Sequence, residues 1–176
     1  MDELAVSTLV YLPTEEIYEF LLDFPGYANY SSYLKDVRQV GTGGPGTEYR
    51  ITVGWWKLSY TARATVTAVE PTERIEWRLT SDFDARGYWE VEPAPDRAPP
   101  DRETASRVRL YIRFDPDSAH PGMVDLPALV SLSWVVEKVR PLVAEEAETV
   151  VERIVADLEG QRRPVTLHVE NGPDTL

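Results

Sequence analysis

Apolar residues recur at steps of three and four along the last third of the chain, at Leu132, Val136, Val139, Val143, Ala147, Val150, Ile154 and Leu158. This is the single stripe of an amphipathic helix. Glu137, Arg140, Glu145, Glu148, Glu152 and Asp157 fill the opposite side, so the helix, placed from about Leu126 to Leu158, lies on a large apolar surface and does not span a membrane. Asp125 is placed to cap it, Pro127 suits its first turn and Gly160 suits its end. Pro141 removes the bond to the Glu137 carbonyl, which predicts a kink or two collinear pieces.

Upstream the period falls to two. Leu4, Val6, Thr8, Val10 and Leu12 alternate with Ala5, Ser7, Leu9 and Tyr11 in a first strand that stops at Pro13. A short helix follows, with Glu15 and Glu16 at its positive end and Ile17, Phe20, Leu21 and Phe24 on one face, ending near Asp23. Tyr27, Tyr30, Tyr33 and Leu34 then suggest a second short helix or turn. Six strands come next, Val37 to Val40, Tyr49 to Val53, Leu58 to Val69, Arg74 to Thr80, Gly87 to Val91 and Val108 to Phe114. Leu58, Tyr60, Ala62, Ala64, Val66 and Ala68 face one way, with polar residues between them. Such half-buried strands, without room for helical crossovers, define an antiparallel sheet. The proline-rich segment Pro93 to Ser106 reads as a solvated, mobile connection. The tail beyond Gly160 has one possible edge strand at Val165, Leu167 and Val169, which could pair within the chain or across a dimer.

The expected architecture is α+β: a seven-stranded antiparallel sheet wrapped around one long C-terminal helix, with two short helices after the first strand. Residues 1–160 form the domain and 161–176 the tail. This order, with the run Pro13 to Phe24, Asp23-Phe24-Pro25-Gly26-Tyr27 and Tyr33-Leu34-Lys35-Asp36-Val37, resembles the START-related helix-grip superfamily (SRPBCC). The polyketide cyclase/dehydrase and coenzyme Q-binding branches are the most similar, and the likeness covers roughly Leu4 to Gly160. It implies a hydrophobic cavity between sheet and helix for a lipid, quinone, polyketide or hormone, in a family where many members bind without catalysing a reaction.

Composition narrows this reading. Thirty Asp and Glu against eighteen Lys and Arg give a net charge of −12, which opposes binding to nucleic acid or anionic surfaces. Only Lys35, Lys57 and Lys138 are lysines, a balance that resembles proteins of salt-loving cytoplasms as much as ordinary acidic ones. The absence of cysteine removes disulfides and thiolate chemistry. Met1-Asp2-Glu3 is unlike a signal peptide, so the expected compartment is the cytoplasm.

The expected pocket is lined by Tyr27, Tyr30, Tyr60, Ala62, Ala64, Trp77, Trp89, Leu110, Ile112, Trp134, Val136 and Val143. The small Ala62, Ala64 and Ala68 either leave cavity volume or let the helix approach closely, and the resemblance favours volume. Trp55 and Trp56, at a turn, suit an entrance or simple packing against the sheet end. Tyr60 is the one inward group suited to acid/base work, with Arg63 or Glu48 available only in another register. Arg74, Glu76 and Arg78, then Glu90 and Glu92, then Arg107, Arg109 and Arg113 read as a charge ladder with an acidic middle strand, not a nucleic-acid surface. Gly41 to Gly46 reads as a hairpin loop, because no phosphate-binding Lys or helix follows it. His120 and His168 are not at ligand spacing, so neither a metal nor another cofactor is expected.

Overall fold

A computed structural model describes residues 1–81, 83–119, 126–128 and 130–171, with backbone alone at 116, 132, 133, 135, 136, 139, 140, 143, 144 and 171. Strand β1 (Asp2–Val10) leads into helix α1 (Thr14–Leu22) and a 3-10 turn at Phe24–Asn29. Six strands follow: β2 (Leu34–Val40), β3 (Glu48–Trp55), β4 (Leu58–Glu70), β5 (Arg74–Leu79), β6 (Ala85–Pro93) and β7 (Ser106–Phe114). Helix α2 (Leu132–Glu159) and strand β8 (His168–Asn171) complete the chain.

The strands form one antiparallel sheet of eight in the order β2-β3-β4-β5-β6-β7-β1-β8. This is the expected helix-grip architecture with one strand more, because the tail adds β8 along β1 of the same chain. Its inner face carries Val10, Tyr49, Val66, Ile75, Val91 and Val108, which pack with Ile17, Leu21 and Phe24 of the short helical segment and with Val155 of α2. Each such side chain contributes roughly 1.5–3 kcal/mol by leaving water, so α2 is held by its stripe.

Two expectations are corrected and a third in part. Helix α2 begins at Leu132, not Leu126, because Ser131 is its cap: the Ser131 hydroxyl accepts a bond from the Trp134 amide at 3.2 Å. Pro127 belongs to a separate turn closed by Val130 N–H onto its carbonyl, and Asp125 lies outside the described residues. The helix is assigned as continuous through Pro141, and Gly160 ends it with φ of 79°. In β4 the register slips between Val66 and Ala68, so Ala68 stands opposite Glu76 and Val69, opposite Ile75, joins the core. A bulge breaks the period-two rule that had put Ala68 inside. The connection 94–105 is solvated at residues 95–97, 100, 101 and 103 as expected, but it is anchored at its ends, with Ala105 fully buried and Ala94 N–H bonded to its carbonyl at 2.8 Å. The glycine-rich segment does join β2 to β3. Gly41 there has φ of 131°, and a Cβ would come within 2.9 Å of the Thr47 hydroxyl.

Candidate functional site

Helix α1, strands β1, β6 and β7 and the C-terminal half of α2 enclose a cavity of about 330 Å³. Ala147, Val150, Ile154 and Leu158 of the α2 stripe form one wall. Val6 and Val10 of β1 face them, with Val108 and Leu110 of β7 and the indole of Trp89 beside them. Phe20 and Tyr27 close one side, their rings stacked with centroids 5.8 Å apart.

Polar groups in this lining are few. The hydroxyl of Tyr27 donates to the Leu21 carbonyl, and burial pushes its pKa well above the ordinary 10. Ser7, Thr8 and Ser31 also reach the lining. Among the described lining residues there is no carboxylate, histidine, lysine or arginine.

Hydrogen bonds to α2 fasten the rim. The Tyr30 hydroxyl donates to the Asp157 carboxylate, which raises the phenol to about 12. Arg153 donates to the Tyr30 carbonyl at 2.9 Å, and the Ser31 hydroxyl donates to Glu146 at 3.0 Å. Glu146, Arg153 and Asp157 stand on one side of the helix by their spacing, so a single helix face straps the aromatic segment down.

At the end of α2, Glu159 has its side chain fully buried and pairs with Arg163 at 2.7 Å. Its second oxygen accepts the Tyr11 amide at 2.9 Å. Arg163 also donates to the Leu9 carbonyl at 2.8 Å and lies over the Tyr11 ring at 3.9 Å, while Arg102 donates to the Glu159 carbonyl at 3.1 Å. Burial alone would raise the Glu159 carboxyl, yet the Arg163 hydrogen bonds and the Tyr11 amide hold it below the usual carboxylate range.

The residues expected to line a pocket divide between several places. Tyr27, Trp89 and Leu110 line this cavity, and Tyr30 fastens its rim. Tyr60, Ala62 and Ala64 lie on β4 and Ile112 on β7, outside the lining. Ala64 is buried opposite Tyr49, itself fully buried with its ring 4.4 Å from that of Phe24. Trp77 packs beside Gly87, and the side chains of Val136 and Val143 lie outside the described residues. The residues the pattern missed are those of β1 and α1, whose apolar faces are indistinguishable from plain core until the helix is seen to stand off them.

Trp55, Trp56 and Trp134 form a separate cluster with ring centroids 5.8 to 6.2 Å apart. Trp134 is thirteen residues before Ala147, about 20 Å along a helix rising 1.5 Å per residue. The cluster therefore stands at the opposite end of α2 from this cavity. No group of three or more potential metal-binding side chains exists among the described residues, and no described helix is long and apolar enough to cross a membrane.

One helix lying across a curved antiparallel sheet above an apolar cavity defines a helix-grip protein of the START kind. Residues 1–159 match the family described as polyketide cyclase / dehydrase and lipid transport, and the chain belongs to that family. Solved structures share the fold at low identity. A START superfamily protein from Mycobacterium smegmatis is 16% identical, with 90% of this chain and 99% of that chain covered and a TM-score of 0.60. The Zhui aromatase/cyclase from a Streptomyces species is 14% identical, with 89% and 93% covered and a TM-score of 0.59. A Thermus thermophilus protein is 16% identical, with 90% and 97% covered and a TM-score of 0.59. No match is found among curated protein sequences.

Proposed function

We propose that the protein is a cytoplasmic binding or carrier protein for a hydrophobic small molecule, with lipid or isoprenoid quinone as the ligand class, held in the cavity between α1, β1, β7 and α2. The observation that carries this reading is the lining. Its one ionisable group among the described residues is the Tyr27 phenol, whose proton is committed to the Leu21 carbonyl. A cyclase or dehydratase needs an acid or base within reach of the reacting carbons, and this wall offers none. Apolar walls with a few hydroxyls suit uptake of a ligand by desolvation alone.

At about 330 Å³ the volume is at the low end for small-molecule sites, which suits a single ring or one segment of a longer chain. Mass spectrometry of an organic extract of the native protein, against an extract of an unrelated protein from the same cells, tests the reading. A stoichiometric lipid or quinone is expected. An extract without one, from a protein that also takes up no added quinone or fatty acid, would overturn the proposal.

A further inference from the structure

The outer face of the sheet, turned away from α2, carries its charges in cross-strand rows set by the register. In one row Arg74, Glu90 and Arg109 stand opposite one another on β5, β6 and β7, and Arg109 also pairs with Glu170 of β8 at 2.6 Å. That row alternates in sign, as the ladder reading expects. Four residues along, the alternation fails. Arg78 stands directly opposite Arg86, and Arg86 directly opposite Arg113. Like charges placed directly opposite each other destabilise a sheet. Arg113 meets Glu3 at 3.9 Å at the end of the row. Arg78 and Arg86 are exposed and have no ion pair among the described residues. In a chain of net charge −12, three guanidinium groups thus stand in a row with no acid between them.

A recess of about 380 Å³ opens beside this row, lined by Arg74, Arg78, Arg86, Tyr88 and Tyr111 together with one carboxylate, Glu76. We propose that Arg78, Arg86 and Arg113 form a binding site for a small ligand carrying two or more phosphate groups, on the sheet face opposite the apolar cavity. Guanidinium forks match phosphate oxygens in bidentate geometry. The row spans two strand spacings, about 9 to 10 Å between its outer backbones, a spread that suits a ligand with more than one phosphate.

The neighbouring aromatics favour a small polyphosphate over a nucleic acid. Single-stranded nucleic acid needs open ring faces for its bases. Tyr88 has one face stacked on Tyr111 at 5.0 Å and the other covered by the Arg74 guanidinium at 3.8 Å. The one carboxylate in the recess, Glu76, is engaged by Arg74, which leaves Arg78 and Arg86 without an acidic partner among the described residues. Glu76 pairs with Arg74 at 3.4 Å, and Asp84 and Asp115 lie two residues beyond Arg86 and Arg113 along their strands.

Calorimetric titration with inorganic pyrophosphate, together with unfolding midpoints in pyrophosphate and in chloride at equal ionic strength, tests the site. The wild type should bind pyrophosphate and unfold at higher temperature in it. Arg86→Ala should weaken binding by about tenfold or more, the worth of charge-assisted hydrogen bonds. Arg86→Glu should abolish binding and also raise the midpoint in chloride, because it converts two like-charge contacts into opposite pairs. Three results would each overturn the proposal: no pyrophosphate binding by the wild type, undiminished binding by Arg86→Ala, or binding of a single-stranded oligonucleotide without binding of pyrophosphate. None of these readouts depends on the apolar cavity or its ligand.

Discussion

The two ends of α2 are held by opposite means. The C-terminal end is fixed by directed bonds, from Glu159 to Arg163 and the Tyr11 amide and from Asp157 to Tyr30, all around the cavity. Among the described residues, the N-terminal end has the Ser131 cap and an aromatic cluster in which Trp134 is 37% exposed and Trp56 57% exposed. A helix that stands off a sheet to leave volume gives up contact there, and directed bonds at the cavity's margin keep the gap open at fixed width. At the other end the described contacts are ring stacking without directional partners. The difference therefore predicts that polar substitutions matter at one end and aromatic ones, more weakly, at the other.

The largest effect is expected at Glu159. Replacing it with Ala leaves the Arg163 guanidinium and the Tyr11 amide without their partner, and breaking a buried pair in this way costs about 3–5 kcal/mol. Glu137→Ala, on the outward side of the helix, should stay within about 0.5 kcal/mol. Denaturant unfolding of the two variants checks the contrast, and equal losses would break the comparison. The pH dependence follows in sign. A carboxyl whose folded pKa is lowered from 4.5 stabilises the fold above that value, and the contribution is lost as pH falls through the lower folded pKa. Stability measured from pH 5 down to 3 should therefore fall more steeply in the wild type than in Glu159→Gln.

Next in size is a pair of small-to-large changes. Ala64 is buried opposite Tyr49, so Ala64→Trp should cost the upper part of the 1–3 kcal/mol typical of overpacking. Ala147 lines the open margin of the cavity and is itself exposed, so Ala147→Trp should cost less than about 1 kcal/mol while its indole blocks the opening and reduces ligand uptake. If Ala147→Trp left ligand uptake unchanged, the opening beside Ala147 would not be the ligand's route and the carrier reading would lose its support.

This pair also shows how far the sequence could be read. The strand order, the antiparallel sheet and the helix stripe follow from periods of two and of three to four, because those periods are imposed by backbone geometry. The tail strand is legible in Val165, Leu167 and Val169 but lies two to three residues further on, at His168–Asn171, since edge strands have one neighbour to fix them. The helix start was misplaced because Asp125 and Ser131 are equally good caps on paper. The cavity was harder to locate. Alternation says that Ala62, Ala64, Val6 and Val10 all face inward; how far the helix stands from each is set by rim contacts such as Tyr30 to Asp157, which join residues 127 positions apart. The like-charge row was hidden for the same reason, because register decides whether an Arg on β5 meets a Glu or an Arg on β6.

The smallest expected effect is at the tryptophan cluster. Trp56 occupies the two-residue turn between β3 and β4 with φ of 54°, a left-handed conformation that costs a non-glycine residue roughly 1–2 kcal/mol. Glycine adopts it freely. Trp56→Gly removes that cost and also removes two ring contacts, to Trp55 and Trp134, worth about 0.5–1.5 kcal/mol each. The terms oppose, so the net change should lie between about a 1 kcal/mol gain and a 2 kcal/mol loss. Trp134→Ala loses its ring contacts without relieving any strain, and so should be the more destabilising of the two. If Trp56→Gly costs as much as Glu159→Ala, the cluster fixes the N-terminal end of α2 as firmly as the buried ion pair fixes the other. The gap at the cavity would then be maintained from both ends of the helix.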